Sequence, residues 1–209
     1  MQSDLLEKVA AYYASRLREH GATPRGVDWN SLESQELRHR QFLRLIDDPA
    51  ASVLDLGCGF GDFLRFLRGT GHRGAFIGYD VAPTMIDAAR GLHGEGADRT
   101  WRIGATPSEV ADFAVGSGIL NVKGDVPADV WELYVRDTIE TLGRIGRRGF
   151  AFNVLTLCSD PERRRPDLFY ADPCGMLSWC LARFGRSIAL LHDYGLYEFT
   201  IIVRHPAAT

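Results

Sequence analysis

The run Val53-Leu54-Asp55-Leu56-Gly57-Cys58-Gly59-Phe60-Gly61 constrains this chain more than any other feature. An apolar segment of strand length meets three glycines at alternate positions, and a helix-like segment follows. Glycine has no Cβ, so Gly57 and Gly59 permit a tight turn and let a bound group approach the backbone. Gly61 is expected to bring the chain into the next helix close to that group. A buried strand of this kind needs neighbours on both sides, so the rest of the chain should alternate strands with helices.

The hydrophobic pattern agrees with that expectation from residue 52 onward. Strands are expected over 52–56, 75–79, 100–103, 113–116, 149–155, 187–192 and 198–203, and helices over 62–68, 83–92, 128–142 and 173–184. Such alternation implies an α/β sandwich of three layers with a mostly parallel sheet covered on both faces. Only residues 193–197 join the last two strands, too few for a parallel crossover. They should form an antiparallel hairpin, giving six parallel strands and one antiparallel strand.

Before residue 51 the period is helical. Leu5, Val9, Tyr12, Tyr13 and Leu17 share one face, and Gly21 and Pro24 end that helix. Residues 25–30 read as a loop. Ser31 or Ser34 should cap a second helix reaching about Asp47, with Leu37, Phe42, Leu43 and Ile46 inward. The chain therefore divides into a helical cap, residues 1–50, and a nucleotide-binding domain, residues 51–209.

Asp80 closes the second strand, 19 residues beyond Gly61. A carboxylate there can accept hydrogen bonds from both hydroxyls of a ribose. A dinucleotide site favours G-x-G-x-x-G, with a pyrophosphate on the helix start. Here the third glycine comes one residue early, and Asp62 would repel a diphosphate. S-adenosylmethionine (SAM) has a sulfonium and an ammonium and no phosphate, so acidic residues such as Asp55 suit it.

The pattern D-x-G-x-G-x-G with an acidic end to the second strand resembles the class I, Rossmann-like SAM-dependent methyltransferases, over residues 52–205. Stretches 26–30, 117–123 and 192–200 are similar to a group of small bacterial methyltransferases. The resemblance implies a seven-stranded sheet of order 3-2-1-4-5-7-6 with an antiparallel last strand. It implies that Asp55 and the turn Gly57, Cys58, Gly59 and Gly61 hold the methionine part, and that Asp80 holds the ribose. Val81 and Met85 are implied to flank the adenine, with Ser117 at the cofactor's edge. The family often has an acidic residue after the third strand that contacts the adenine amine; this chain has Gly104-Ala105 there. Arg38 is a candidate partner for the SAM carboxylate, and Tyr13, Trp29 and Gln35 are further cap residues that could touch cofactor or acceptor.

The acceptor is less legible, because methyl transfer needs positioning more than any one residue type. A D/N-P-P-Y/F motif after the fourth strand is absent, and Cys158 and Cys174 lie after the fifth strand, away from where a cytosine-C5 enzyme keeps its nucleophile. His192 is the natural candidate base, since histidine is the side chain that ordinarily changes charge near neutral pH. Tyr194 and Asn121 are candidate orienting groups, and Asn153, Tyr170, Asp172 and Asp193 are further polar candidates. The expected function is methyl transfer to an O or N atom of a small molecule. RNA methylation and SAM binding without turnover are the alternatives.

Charge bears on the RNA reading. The net charge is −3, which argues against a broad grip on nucleic acid. Local basic spots occur at Arg144, Arg147 and Arg148 and at Arg163–Arg165. The cysteines Cys58, Cys158, Cys174 and Cys180 form no C-x-x-C pair, so reduced thiols and no metal are expected. No apolar run reaches the roughly 20 residues of a membrane span, and the start lacks a signal-peptide pattern. A cytoplasmic protein without membrane contact is expected; the pattern says nothing of oligomeric state.

Overall fold

The computed structural model describes residues 2–206. Seven strands form one sheet: β1 (Val53–Leu56), β2 (Phe76–Asp80), β3 (Arg99–Ile103), β4 (Ala111–Gly116), β5 (Gly146–Leu155), β6 (Ile188–Leu191) and β7 (Glu198–Arg204). Their order is β3-β2-β1-β4-β5-β7-β6. β7 runs antiparallel to both β5 and β6, and the pairings from β3 through β5 are parallel. The fold is the Rossmann-like sandwich expected, with the antiparallel strand in its expected place.

The helices are α1 (Gln2–His20), α2 (Leu32–Phe42), α3 (Asp62–Gly69), α4 (Pro83–His93), α5 (Ala128–Ile145) and α6 (Pro173–Phe184). A 3-10 turn, Pro24–Val27, links α1 to α2. Local chemistry sets these boundaries. Ser31 and Ser34 satisfy each other's backbone N–H in a capping box at the start of α2. Asp172 accepts from the backbone N–H of Cys174 and Gly175 at the start of α6. α2 stops at Phe42 rather than near Asp47: Leu43, Arg44 and Leu45 bond to carbonyls three residues back, the tighter turn typical of a helix end. β5 begins at Gly146, directly after α5, rather than at Gly149.

Two cores flank the sheet. One joins Leu54 and Leu56 to Trp131, Val135 and Ile139 of α5 and to Phe150, Phe152 and Phe199. The other joins Val53 to Phe42, Phe63, Leu67 and Ile86 of α2–α4 and to Phe76 and Trp101. Connections from β1 and β4 leave in opposite directions across the sheet, so a crevice opens at their carboxyl ends, where open α/β sheets bind ligands. Ala10, Tyr13, Leu17 and Val27 of the first segment pack on Phe60, Ala82 and Met85 at this crevice. Among the described residues no helix is long and apolar enough to cross a membrane.

Candidate active site

A cavity of about 420 Å³ lies at the crevice, within the size range of small-molecule and cofactor sites. It is lined by Asp55, Gly57, Cys58, Gly59, Asp80, Val81, Met85 and Ser117 of the sheet domain and by Tyr13, Val27, Trp29, Gln35 and His39 of the first 50 residues.

The glycine turn is pinned from below. The Gly57 and Cys58 N–H groups both donate to the Tyr79 carbonyl, at 2.7 and 2.8 Å. Gly57 has φ 75°, and a Cβ there would meet Ile119 Cγ2 at 2.0 Å, so glycine is required by both the turn and the closely packed Ile119. Gly61 does not line the cavity. A Cβ on it would lie 2.5 Å from Trp101 Cη2 and 2.8 Å from the His93 ring. The third glycine thus lets the start of α3 pack closely on Trp101 of β3.

Two acids define the middle of the cavity. Asp80 Oδ2 accepts from the Gly59 N–H at 2.9 Å and Oδ1 from the Ala82 N–H at 2.8 Å. Burial pushes its pKa up to about 6, against the lowering effect of those N–H donors. Asp55 is 2% exposed, and its Oδ1 has no partner. Burial, then the Asp80 charge, pushes its pKa up to about 8. Nearby on α2, one turn apart, Gln35 Oε1 and His39 Nδ1 are also buried without partners. Burial lowers the His39 pKa to about 4 although Asp62 opposes it, so the ring is neutral at physiological pH. Asp62 Oδ2 lies 3.9 Å from His39 Nδ1, while Asp62 Oδ1 pairs with Arg65 Nε at 2.6 Å.

Buried polar atoms are seldom left unpaired in a folded protein. Three of them converge on one cavity here, and each can be satisfied by a polar ligand. A ligand with an ammonium, a sulfonium and a carboxylate complements a buried carboxylate beside a neutral imidazole and an amide. A diphosphate does not, because Asp62 occupies the first turn of α3. The donor set therefore fits SAM.

The other candidates lie elsewhere. Arg38 points away from the cavity, its Nε bonded to Glu198 Oε2 at 2.7 Å and its guanidinium 4.0 Å above the Trp29 ring. Burial keeps the Glu198 carboxyl above its usual range despite this partner. Asn121 Oδ1 accepts from the Leu155 N–H at 3.1 Å, which ties the loop after β4 to β5. The Tyr194 hydroxyl bonds Thr200 Oγ1 at 2.9 Å and Glu198 Oε1 at 3.3 Å. His192 is exposed and packs edge-on to Phe199. None of these four lines the cavity. For His192 and Tyr194 the reason is topological: β6 and β7 lie beyond β5, two strands or more from the crevice between β1 and β4. Arg38 and Asn121 start nearer, on α2 and after β4, but their side chains are engaged by Glu198 and by the Leu155 N–H. Asn153 accepts from the Gly118 N–H, Tyr170 from the Arg165 N–H, and Asp172 caps α6.

Sequence reasoning passed over His39 and the cavity-facing stripe of α5: Tyr134, Asp137, Thr138 and Thr141. Their i, i+3, i+4, i+7 spacing was the available signal, a polar stripe on a helix otherwise apolar inward. The arginine spots are mostly neutralised. Arg147 pairs with Asp112, Arg148 with Asp47 and Asp48, Arg163 with Asp160 and Arg165 with Asp167. Arg164 donates to the Leu157 and Ser159 carbonyls, and Arg144 to Thr141 Oγ1. The four cysteines are free, and no cluster of metal-ligating side chains occurs among the described residues.

Comparison with known proteins agrees with this geometry. Residues 53–120 match a family model described as a methyltransferase domain. The Mycobacterium tuberculosis (strain H37Rv) protein Rv1506c, provisionally named a methyltransferase, is 45% identical over 154 residues, covering 73% of this chain and 92% of that protein. Among solved structures, magnesium protoporphyrin IX methyltransferase from Synechocystis PCC 6803 with bound S-adenosylhomocysteine (SAH) superposes with a TM-score of 0.66 at 14% identity. That match covers 99% of this chain and 100% of the other. The N-methyltransferase NodS from Bradyrhizobium japonicum, in complex with SAH, gives 0.63 at 21% identity, covering 93% and 98%. The chain belongs to the class I SAM-dependent methyltransferases.

Proposed function

We propose that this enzyme methylates an O or N atom of a small molecule, which reaches the cofactor beneath a helical cap formed by residues 1–50. The observation that carries the cofactor placement is the unpartnered Asp55 Oδ1, buried beside the glycine turn. Asp55, Gly57, Cys58 and Gly59 take the methionine portion of SAM, with Gln35 and His39 facing it from α2. Asp80 keeps lone pairs free for the ribose hydroxyls while two backbone N–H groups hold it in place. Val81 and Met85 supply the apolar wall for the base, and Ser117 borders the cofactor.

Bound SAM supplies a methyl group already activated by positive sulfur. The chain's part is to orient the acceptor and exclude water. Val27 and Trp29 of the cap line the cavity, and Trp29 Cζ2 lies so close to Gly118 that a Cβ there would sit 2.6 Å from it. His39, neutral and buried, is able to accept a hydrogen bond in this chamber. A cavity of this size, bordered by cap residues, suits a small acceptor. An RNA acceptor is disfavoured because the arginines that would grip phosphates are already engaged by acids and carbonyls. The named activities of the two solved structures, one on a magnesium porphyrin and one an N-methylation, are compatible with a small acceptor.

The test is incubation with SAM carrying an isotopically labelled methyl group and cell extract, followed by mass spectrometry of labelled products. Label in low-mass metabolites is expected. Label confined to RNA would overturn the acceptor class, and SAM binding without any labelled product would overturn turnover.

A further inference from the structure

We infer that the methyl acceptor carries a positive charge away from its reacting atom, and that Asp137 of α5 anchors that charge. The inference rests on the small-molecule reading proposed above. Val81 and Met85, at the end of β2 and on α4, hold the base toward β3 and α4, so the α5 side of the cavity is left for a second molecule. Tyr134, Asp137 and Thr138 wall that side, with Val9 of α1, which packs on the same core as α5. Tyr13, one turn along α1 from Val9, also lines the cavity, and its hydroxyl makes no hydrogen bond among the described residues. Burial raises the Tyr13 pKa, so the phenol stays neutral and able to bond a polar ligand.

Charge decides what that molecule can be. Four aspartates line the cavity, and among the described residues that line it there is no lysine or arginine. Asp62 is paired with Arg65 at 2.6 Å, and His39 is uncharged. SAM brings two positive charges and one negative, which together offset one of the three remaining carboxylates, Asp55, Asp80 and Asp137. An anionic acceptor meets repulsion there with no counter-charge, and a cationic one is drawn in. Asp137 is the carboxylate open to it. Among the described residues its side chain makes no hydrogen bond and no ion pair; only its backbone carbonyl is used, by Thr141 Oγ1 at 2.9 Å. The arginines of its own helix are committed: Arg136 to Glu132 at 2.6 Å and Arg144 to Thr141 Oγ1 at 2.7 Å. Asp137 is exposed, so its ionised form costs little to keep, and a cation bound to it retains part of its hydration. The attacking atom is then a second, uncharged group of the same molecule, because a protonated amine has no lone pair with which to displace the methyl from sulfur.

The test divides the low-mass fraction of a cell extract by ion exchange at neutral pH into cationic, neutral and anionic pools. Each pool is incubated with the enzyme and methyl-labelled SAM. Label should appear chiefly in the cationic pool. Label chiefly in the neutral or anionic pool overturns the inference while leaving small-molecule methylation standing, and label in none of the pools overturns both. With the cationic pool as acceptor, Asp137→Asn should raise the amount needed for half-maximal rate by about two- to fivefold, the range for an exposed ion pair. Asp137→Glu, which keeps the charge, should recover most of that loss, and calorimetry should find SAH affinity equal in wild type and both variants. Unchanged half-saturation in Asp137→Asn, no recovery in Asp137→Glu, or a matching loss of SAH affinity overturns the role given to Asp137.

Discussion

Replacing Asp55 by Asn should make the ligand-free enzyme more stable at neutral and alkaline pH and make it bind SAH worse. The carboxyl's pKa rises from 3.8 to about 8 on folding, chiefly through burial. A group whose folded pKa is raised contributes stability that is present in full below its unfolded pKa. That contribution is lost as pH climbs to the folded pKa, because the unfolded chain releases the proton first. Each pH unit in that window corresponds to about 1.4 kcal/mol at most. The Asn amide removes the ionisation but leaves its own polar atoms short of partners, a cost of about 1–3 kcal/mol. The difference in unfolding free energy, variant minus wild type, should therefore grow by roughly 2–4 kcal/mol between pH 4.5 and pH 8.5. Urea unfolding at several pH values measures it. SAH affinity at pH 7.5 should fall about ten- to a hundredfold, since a charge-assisted bond to the ammonium is lost. Opposite signs for stability and binding are what a strained functional group shows. A gap that does not change with pH, or unaltered SAH affinity in the folded variant, refutes the argument.

Three other outcomes follow from the same geometry. Asp80→Ala should lose about 1.5–3 kcal/mol of SAH affinity for each ribose bond removed, read by calorimetry; unchanged affinity in a folded variant removes its assigned role. Arg38→Met should destabilise the fold by about 3–5 kcal/mol, because Glu198 is left buried and unpaired, and Arg38→Met with Glu198→Leu should recover most of that loss in thermal unfolding. Equal destabilisation of single and double variants would show that the pair is not the reason Arg38 is buried. Gly61→Ala should lower stability by about 1–3 kcal/mol through its clash with Trp101, and Trp101→Phe in that background should lessen the added cost of the methyl group, measured by a double-mutant cycle.

Much of the fold was legible because its signals are local. The apolar run 53–56, the helical period of 128–142 and the short link before β7 each reflect contacts between near neighbours in the chain. Asp55 and Asp80 were legible for the same reason, since a strand ending in a glycine turn places the first and the end of the next parallel strand places the second. His192 and Tyr194 were plausible only while the distance of β6 and β7 from the crevice was unknown, and Asn121 only while its bond to the Leu155 N–H was. Their side-chain chemistry suited a base or an orienting group, yet none of the three lines the cavity. Arg38 shows the limit most directly. Whether it faced a ligand or solvent could not be read from position 38, because its partner, Glu198, is 160 residues away. The buried orphans Gln35, His39 and Asp55 became visible only when α2 was folded over the turn.

What the chain's own order of residues determined was the architecture and the kind of ligand, since periodicity and glycine placement act through the backbone within a few residues. What the tertiary structure alone decided was which side chains are unsatisfied and where they converge. That depends on long-range packing, which pairs some polar groups and leaves others facing a shared cavity.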